Sequence, residues 1–460
     1  MASAARLVTL VFDSMIGIVA DALNSGSMLT PTTDSNLALN LTYVFSAMLL
    51  VNLLFRFWLN SRQISHVAGY RHEVPVAFSN TVNLTSHQKA ADYTIAKLRL
   101  GLLEMGLSAA ILLGWTLLGG LSGLNQALLY WFSFGGMGQQ LALVGTFILI
   151  NGAIDLPLSL YQTFVLEARF GFNKTTPKVW LIDLVKSSLL GVAIGLPIVG
   201  LILWLMGAAG AQWWVWAWGA WVAINLLLMW LFPTFIAPMF NRFTPLEDQA
   251  LRETVTRLMT QCGFESKGLF VMDGSKRSAH GNAYFTGFGS AKRVVFFDTL
   301  LAKLSTKEVA AVLAHELGHF KHRHIRQRML FLFALSLAGF ALLGWLATNI
   351  WFYAGLGVEP NLGRPNDGLA VLLFMLTVPV VSFFITPLLS WMSRRHEFQA
   401  DAYAVEHTSG EDLATALLKL YDDNASTLTP DPIYARFHYS HPPASERLAH
   451  LFGPAAANAS

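Results

Sequence analysis

Charged side chains vanish from five stretches of the chain, 35–55, 105–154, 187–241, 329–358 and 368–393. A membrane-crossing helix needs about 20 predominantly apolar residues. The first, fourth and fifth stretches each hold one such helix, whereas the second and third are long enough for two helices and a short hairpin. The pattern predicts seven spans, near 37–58, 103–124, 141–162, 182–206, 214–238, 329–353 and 368–391. The fold class expected is mainly α, a polytopic membrane protein. Spans 1–5 fill 35–240, with a polar segment at 59–100 that carries a helix near 87–100. The span 6–7 hairpin fills 329–391. Two polar blocks flank that hairpin. Block 241–328 has strand-like runs at 268–273 and 293–297, and block 392–460 has helices at 394–407 and 410–424. Residues 1–34, apolar over 7–20 but broken by Asp13, read as an extracytoplasmic or interfacial segment; an eighth span is the alternative, and a signal peptide fits weakly.

Composition sharpens this picture. The chain is 54 % hydrophobic and 13 % charged, where a soluble domain carries about a quarter charged residues. The net charge is only +3, but its placement is informative. The segments 59–100, 161–182, 241–328 and 392–460 hold 27 of the 31 Lys and Arg and all 13 His. By the positive-inside rule that side is cytosolic, with the N-terminus outside. The basic residues sit where membrane topology puts them, beside lipid, so no nucleic-acid partner is implied. Trp213, Trp214, Trp216, Trp218 and Trp221 form an interfacial aromatic belt. Asp155, inside the third span, reads as lining a wet cavity, and Glu104 divides evenly between that and the interface. The lone Cys262 excludes an intrachain disulfide and fits a reducing compartment.

The chemistry gathers at His315-Glu316-Leu317-Gly318-His319. On a helix, residues four apart share a face, so two imidazoles reach a single Zn2+ at about 2.0–2.1 Å. Glu316 projects about 100° round, where it can take a proton from the attacking water. Ser305-Thr306-Lys307-Glu308 caps this helix, and apolar Val309, Val312, Leu313 and Leu317 follow. A third ligand is needed. His322 and His324 lie near in sequence; Glu397 lies 78 residues beyond His319. Glu397 and Asp401 form a Glu-x-x-x-Asp pair on a second helix. Glu397 would supply a carboxylate oxygen, and Asp401 would bind the outer nitrogen of a ligating histidine and fix its tautomer. Spans 6 and 7 leave and return to one side, which accounts for the gap.

Further runs follow in order: 164–172 with Asn173-Lys174, Ile236-Ala237-Pro238-Met239-Phe240, Phe243-Thr244-Pro245-Leu246, Gly274-Ser275-Lys276-Arg277-Ser278, Asn282-Ala283-Tyr284-Phe285, Phe297-Asp298-Thr299-Leu300, 393–401, and His438-Tyr439-Ser440-His441-Pro442-Pro443. From about 160 to 450 the chain resembles the type I CaaX prenyl proteases, integral-membrane zinc metallopeptidases. That resemblance implies seven tilted helices around a large water-filled chamber, with a cytosolic metallopeptidase domain containing a small β element. It implies one Zn2+ per chain held by His315, His319 and Glu397, with Glu316 as general base. Asn282, after an edge strand, would hold substrate backbone, and His441, with Arg447, would stabilise the oxyanion. From the residues themselves, His441-Pro442-Pro443 is a rigid, non-helical point from which a histidine can enter a site. Lys276-Arg277 reads equally as structural or as a carboxylate-binding pair.

The function expected is metal-assisted peptide hydrolysis by a monomer, on a peptide or protein substrate with or without a lipid, similar to removal of the C-terminal tripeptide of prenylated proteins. A membrane-protein quality-control endopeptidase shares the chemistry. A non-hydrolytic zinc transporter or sensor is the rival of another class, but transporters place ligands near the bilayer midplane, and Glu316 would serve no purpose there.

Overall fold

The computed structural model describes residues 33–133, 135–264, 268–286, 293–361 and 363–453, so all but the end of segment 1–34 lies outside the described residues. Seven described helices are long and apolar enough to cross a membrane. Helix α1 (Thr33–Gly69) runs past its expected span at the basic end. Helix α2 (Leu84–Trp115) corrects a boundary: the helix near 87–100 and the span placed at 103–124 are one continuous element. It begins at Asn83, whose side chain accepts the Ser86 N–H at 2.8 Å, as an N-cap should. It ends before Gly119, which takes φ +77°, and Gly120, where a Cβ would run into the Gly114 carbonyl. A charge-free run does not mark where a helix stops, whereas a backbone turn open only to glycine does.

The stretch that follows, expected to be the end of the 103–124 span and the start of the turn after it, is a separate helix, α3 (Gly120–Leu129). Its buried Asn125 accepts from Gln139 at 2.6 Å and donates to Asn361 at 3.2 Å, while Gln140 accepts the Gly368 N–H at 2.8 Å. Those amides satisfy one another, which is how polar groups survive burial. Helices α4 (Met137–Tyr161), α5 (Pro177–Ala208) and α6 (Trp213–Leu231) come next. Helices α4 and α6 continue through π-turns at Gln162–Glu167 and Phe232–Ile236, beside Pro157 and Pro233, the usual sites of helix distortion. Asp155 is exposed on α4 and does not line the cavity described below.

A four-stranded sheet then forms from β1 (Phe243–Pro245), β2 (Leu269–Met272), β3 (Ala283–Thr286) and β4 (Arg293–Phe297), with α7 (Gln249–Gln261) between β1 and β2. The order is β1-β2-β4-β3; β2 and β4 are parallel and the outer pairs antiparallel. Asn282 therefore precedes the edge strand β3 rather than following one. Helices α8 (Thr306–Lys321), α9 (His324–Leu346), α10 (Asp367–Ser382), α11 (Thr386–His407), α12 (Gly410–Asp423), α13 (Pro432–His438) and α14 (Ala444–Phe452) complete the chain. Only the short turn Phe383–Ile385 separates α10 from α11, so the last span leads directly into the Glu-x-x-x-Asp helix.

Helix α8 is buried almost throughout. Its Val309, Ala311, Leu313 and Leu317 pack with Val255, Phe296 and Ala416, each large apolar side chain contributing about 1.5–3 kcal/mol. Against α11 the contact closes to backbone: a Cβ on Gly318 would meet Ala400 Cα at 2.9 Å and its carbonyl oxygen at 3.1 Å. That crossing sets His315 and His319 opposite Glu397.

Candidate active site

The start of α8 is fixed by a complete capping box. Ser305 N–H donates to Glu308 at 2.7 Å, Glu308 N–H returns a bond to Ser305 Oγ at 3.4 Å, and Lys419 Nζ lies 2.8 Å from the same carboxylate. Two turns on, His315 Nε2 and His319 Nε2 face each other at 3.1 Å. Glu397 Oε2 lies 3.4 Å from the first, and Oε1 lies 3.3 Å from the second. Separations this short let one cation, bound at about 2.0–2.1 Å, reach all three side chains. Glu397 Oε2 is buried and accepts no hydrogen bond from the described residues, with the Arg447 guanidinium only at 3.9 Å, a costly state for a carboxylate that a closer cation would relieve. Burial alone would keep His315 neutral, yet the hydrogen bond to Asp401 and the facing Glu397 carboxylate outweigh it and raise its pKa to about 9. The pocket thus favours positive charge at this point. His315, His319 and Glu397 fit a divalent metal, and His322 turns elsewhere, stacking with His324 at 5.5 Å.

Behind His315, Nδ1 donates to Asp401 Oδ1 at 2.8 Å. Arg447 grips the same carboxylate, Nε to Oδ2 at 2.8 Å and Nη2 to Oδ1. Burial would lower the guanidinium's pKa, but Asp401 outweighs it and raises it. Arg447, expected beside the substrate, is buried and bound to Asp401, yet it also lines the cavity over the site: Nη2 lies 3.3 Å from His315 Nδ1 and Nη1 3.9 Å from Glu397 Oε2. Sequence reasoning had no signal for this partnership, because Arg447 is 46 residues from Asp401. Behind His319, Nδ1 meets His324 Nδ1 at 3.0 Å, a contact that spacing alone left among the candidate ligands.

A cavity of about 630 Å³ opens over these groups, with Glu316, Asn282, Tyr421, His438 and His441 in its wall. The half-buried Glu316 carboxylate has no hydrogen-bond or ionic partner among the described residues, which leaves it open to a water. His441 stands on the exposed rim, Nε2 at 3.4 Å from Glu397 Oε1, its Nδ1 held by Ser440 at 3.0 Å. Arg277 is not in this wall. It forms a two-pronged pair with Asp183 of α5 at 2.7 and 3.0 Å and donates to Asn241, so its role is structural.

Two family models match: CAAX prenyl protease N-terminal, five membrane helices, over residues 63–242, and Peptidase family M48 over residues 245–455. The chain belongs to peptidase family M48. It is therefore a metalloprotease, and its apolar helices make it a multi-pass integral membrane protein. Among M48 relatives, CAAX prenyl protease 1 of Saccharomyces cerevisiae is 40 % identical over 325 residues, covering 68 % of this chain and 72 % of the relative. CAAX prenyl protease 1 homolog of Homo sapiens is 34 % identical over 356 residues, covering 68 % and 73 %. The crystal structure of S. mikatae Ste24p superposes with a TM-score of 0.84 at 32 % identity, covering 90 % of this chain and 99 % of that one.

Proposed function

We propose that this M48 metalloprotease is a zinc enzyme that trims the C-terminal tripeptide of prenylated CaaX proteins, acting as a monomer with its site on the cytosolic face and its N-terminus outside. The observation that carries the reading is the convergence of His315, His319 and an orphaned Glu397 oxygen beside an unpartnered Glu316. His315, His319 and Glu397 hold the zinc, which supplies Lewis acidity towards the scissile carbonyl and a water. Glu316 takes the proton from the attacking water at its carboxylate oxygen. It later delivers that proton to the departing amine nitrogen. His441 offers an N–H to the oxyanion that develops on the carbonyl oxygen. The outer edge of β3, unpaired among the described residues and with Asn282 at its start, suits a substrate backbone in extended form. The prenyl preference rests on the relatives' names and on a cavity whose wall includes Gln63 of α1 and Tyr93, Lys97 and Leu98 of α2, both long apolar helices. All ligands come from one chain, which supports a monomer, and the basic loops support the orientation.

The test incubates detergent-purified protein with matched prenylated and unprenylated peptides. Prenylated peptide should be cut faster, and Glu316→Gln should cut at least about 100-fold more slowly with zinc content unchanged. Equal cleavage of both peptides would favour the quality-control reading. Cysteine labels at 322 and 396 should react from the same face of the membrane, and light scattering should give a single-chain mass.

A further inference from the structure

His319 must present a bare Nε2 to a metal, and that requires its one proton on Nδ1. Nδ1 faces His324 Nδ1 at 3.0 Å, and His324 Nε2 lies 2.8 Å from Gln399 Oε1. Building on the zinc reading above, we propose that Gln399 is a positioning residue that acts through His324 to lock His319 in its ligating tautomer. The proton order follows from valence. The Gln399 carbonyl oxygen only accepts, so His324 carries its proton on Nε2. Its Nδ1 is then a lone pair, which accepts from His319 Nδ1–H. His319 Nε2 is thereby left unprotonated towards His315 and Glu397. Running the chain of bonds the other way would put the proton on His319 Nε2 and block ligation.

The local structure holds this relay in place. Arg323 adopts the left-handed conformation, φ 59° and ψ 32°, between α8 and α9. That is an unusual state for a residue with a side chain, and here it turns the chain so that His324, the first residue of α9, comes back against His319. The His324 ring is then clamped flat against His396 at 4.0 Å and 9°. His396 and Gln399 are three residues apart on α11, so one face of the helix that carries Glu397 also grips His324. These imidazoles stack rather than converge, which excludes their serving as a second metal cluster.

The test measures zinc and cobalt affinity of the detergent-purified chain by competition with a chelator, independent of turnover. Gln399→Met keeps the length but removes the acceptor, whereas Gln399→Glu keeps it. Met should weaken binding about 10–100-fold, the usual consequence of losing an outer partner of a ligand, and Glu should stay within about threefold of the parent. His324→Phe should match Met. Equal losses in Met and Glu, or none in either, would overturn the relay. Separately, His319→Ala binding metal as tightly as the parent would sink the zinc site itself, so the two failures are distinguishable.

Discussion

Behind His315 stands a buried ion pair, Asp401 with Arg447; behind His319 stand a neutral imidazole and an amide, His324 and Gln399. The first support ties the site to the C-terminal helix α14, the second to the start of span helix α9. Buried ions are held only by their partners, and removing one leaves a charge that water cannot reach. A neutral relay places its protons just as firmly but leaves no stranded charge when broken. The charged side should therefore govern folding and the neutral side mainly metal affinity.

The largest effect that would break this contrast is at Arg447. Arg447→Met should cost about 3–5 kcal/mol of stability, read by thermal unfolding in detergent, while Gln399→Met should cost well under half of that. Adding Asp401→Leu to Arg447→Met should recover part of the loss, because both charges are then gone, yet zinc affinity should stay low. Equal destabilisation by Arg447→Met and Gln399→Met would end the distinction. Next comes Gly318→Ala, which wedges α8 from α11 at the Ala400 contact. Overpacking of this kind costs about 1–3 kcal/mol. Since Glu397, Gln399 and Asp401 all ride on α11, stability and zinc affinity should fall together, without favouring either histidine.

Much of this arrangement was legible before the structure. Hydropathy alone locates the spans, because a bilayer demands apolar length whatever the sequence. Helical spacing gives the His315 and His319 pair, ligand chemistry makes Glu397 with Asp401 a candidate beside it, and the resemblance to the CaaX proteases completes the ligand set. What spacing does not reveal is tertiary. The pairing of Arg447 with Asp401 joins two helices 46 residues apart, and an arginine in a polar tail carries no periodic mark of its partner. His324 was visible as a histidine near the motif, but choosing between ligand and support needed the turn at Arg323. Hydropathy carries the second span past the true end of α2 because Gly119-Gly120 sits inside an uninterrupted apolar run, where backbone conformation outweighs hydropathy.

The smallest effect sharpens the comparison by leaving both supports intact. Glu308 lies about two turns before His315, bound to Lys419 and to its own cap. Burial alone would raise its pKa, but the bonds from Lys419 and Ser305 outweigh it and hold it below 4.5. A carboxylate held below its unfolded value adds stability that is fully present above that value and is lost as pH falls through the folded one. Glu308→Gln should therefore cost about 0.5–1 kcal/mol at pH 7, a modest figure because the Lys419 side chain is part exposed and screened. The difference from the parent should shrink as pH drops below about 4.5 and vanish at lower pH. Zinc affinity at pH 7 should not change, since neither Asp401 nor His324 is disturbed. A fall in affinity as large as that of Gln399→Met would mean that the stability of α8 as a whole, rather than what stands behind each histidine, sets the metal site.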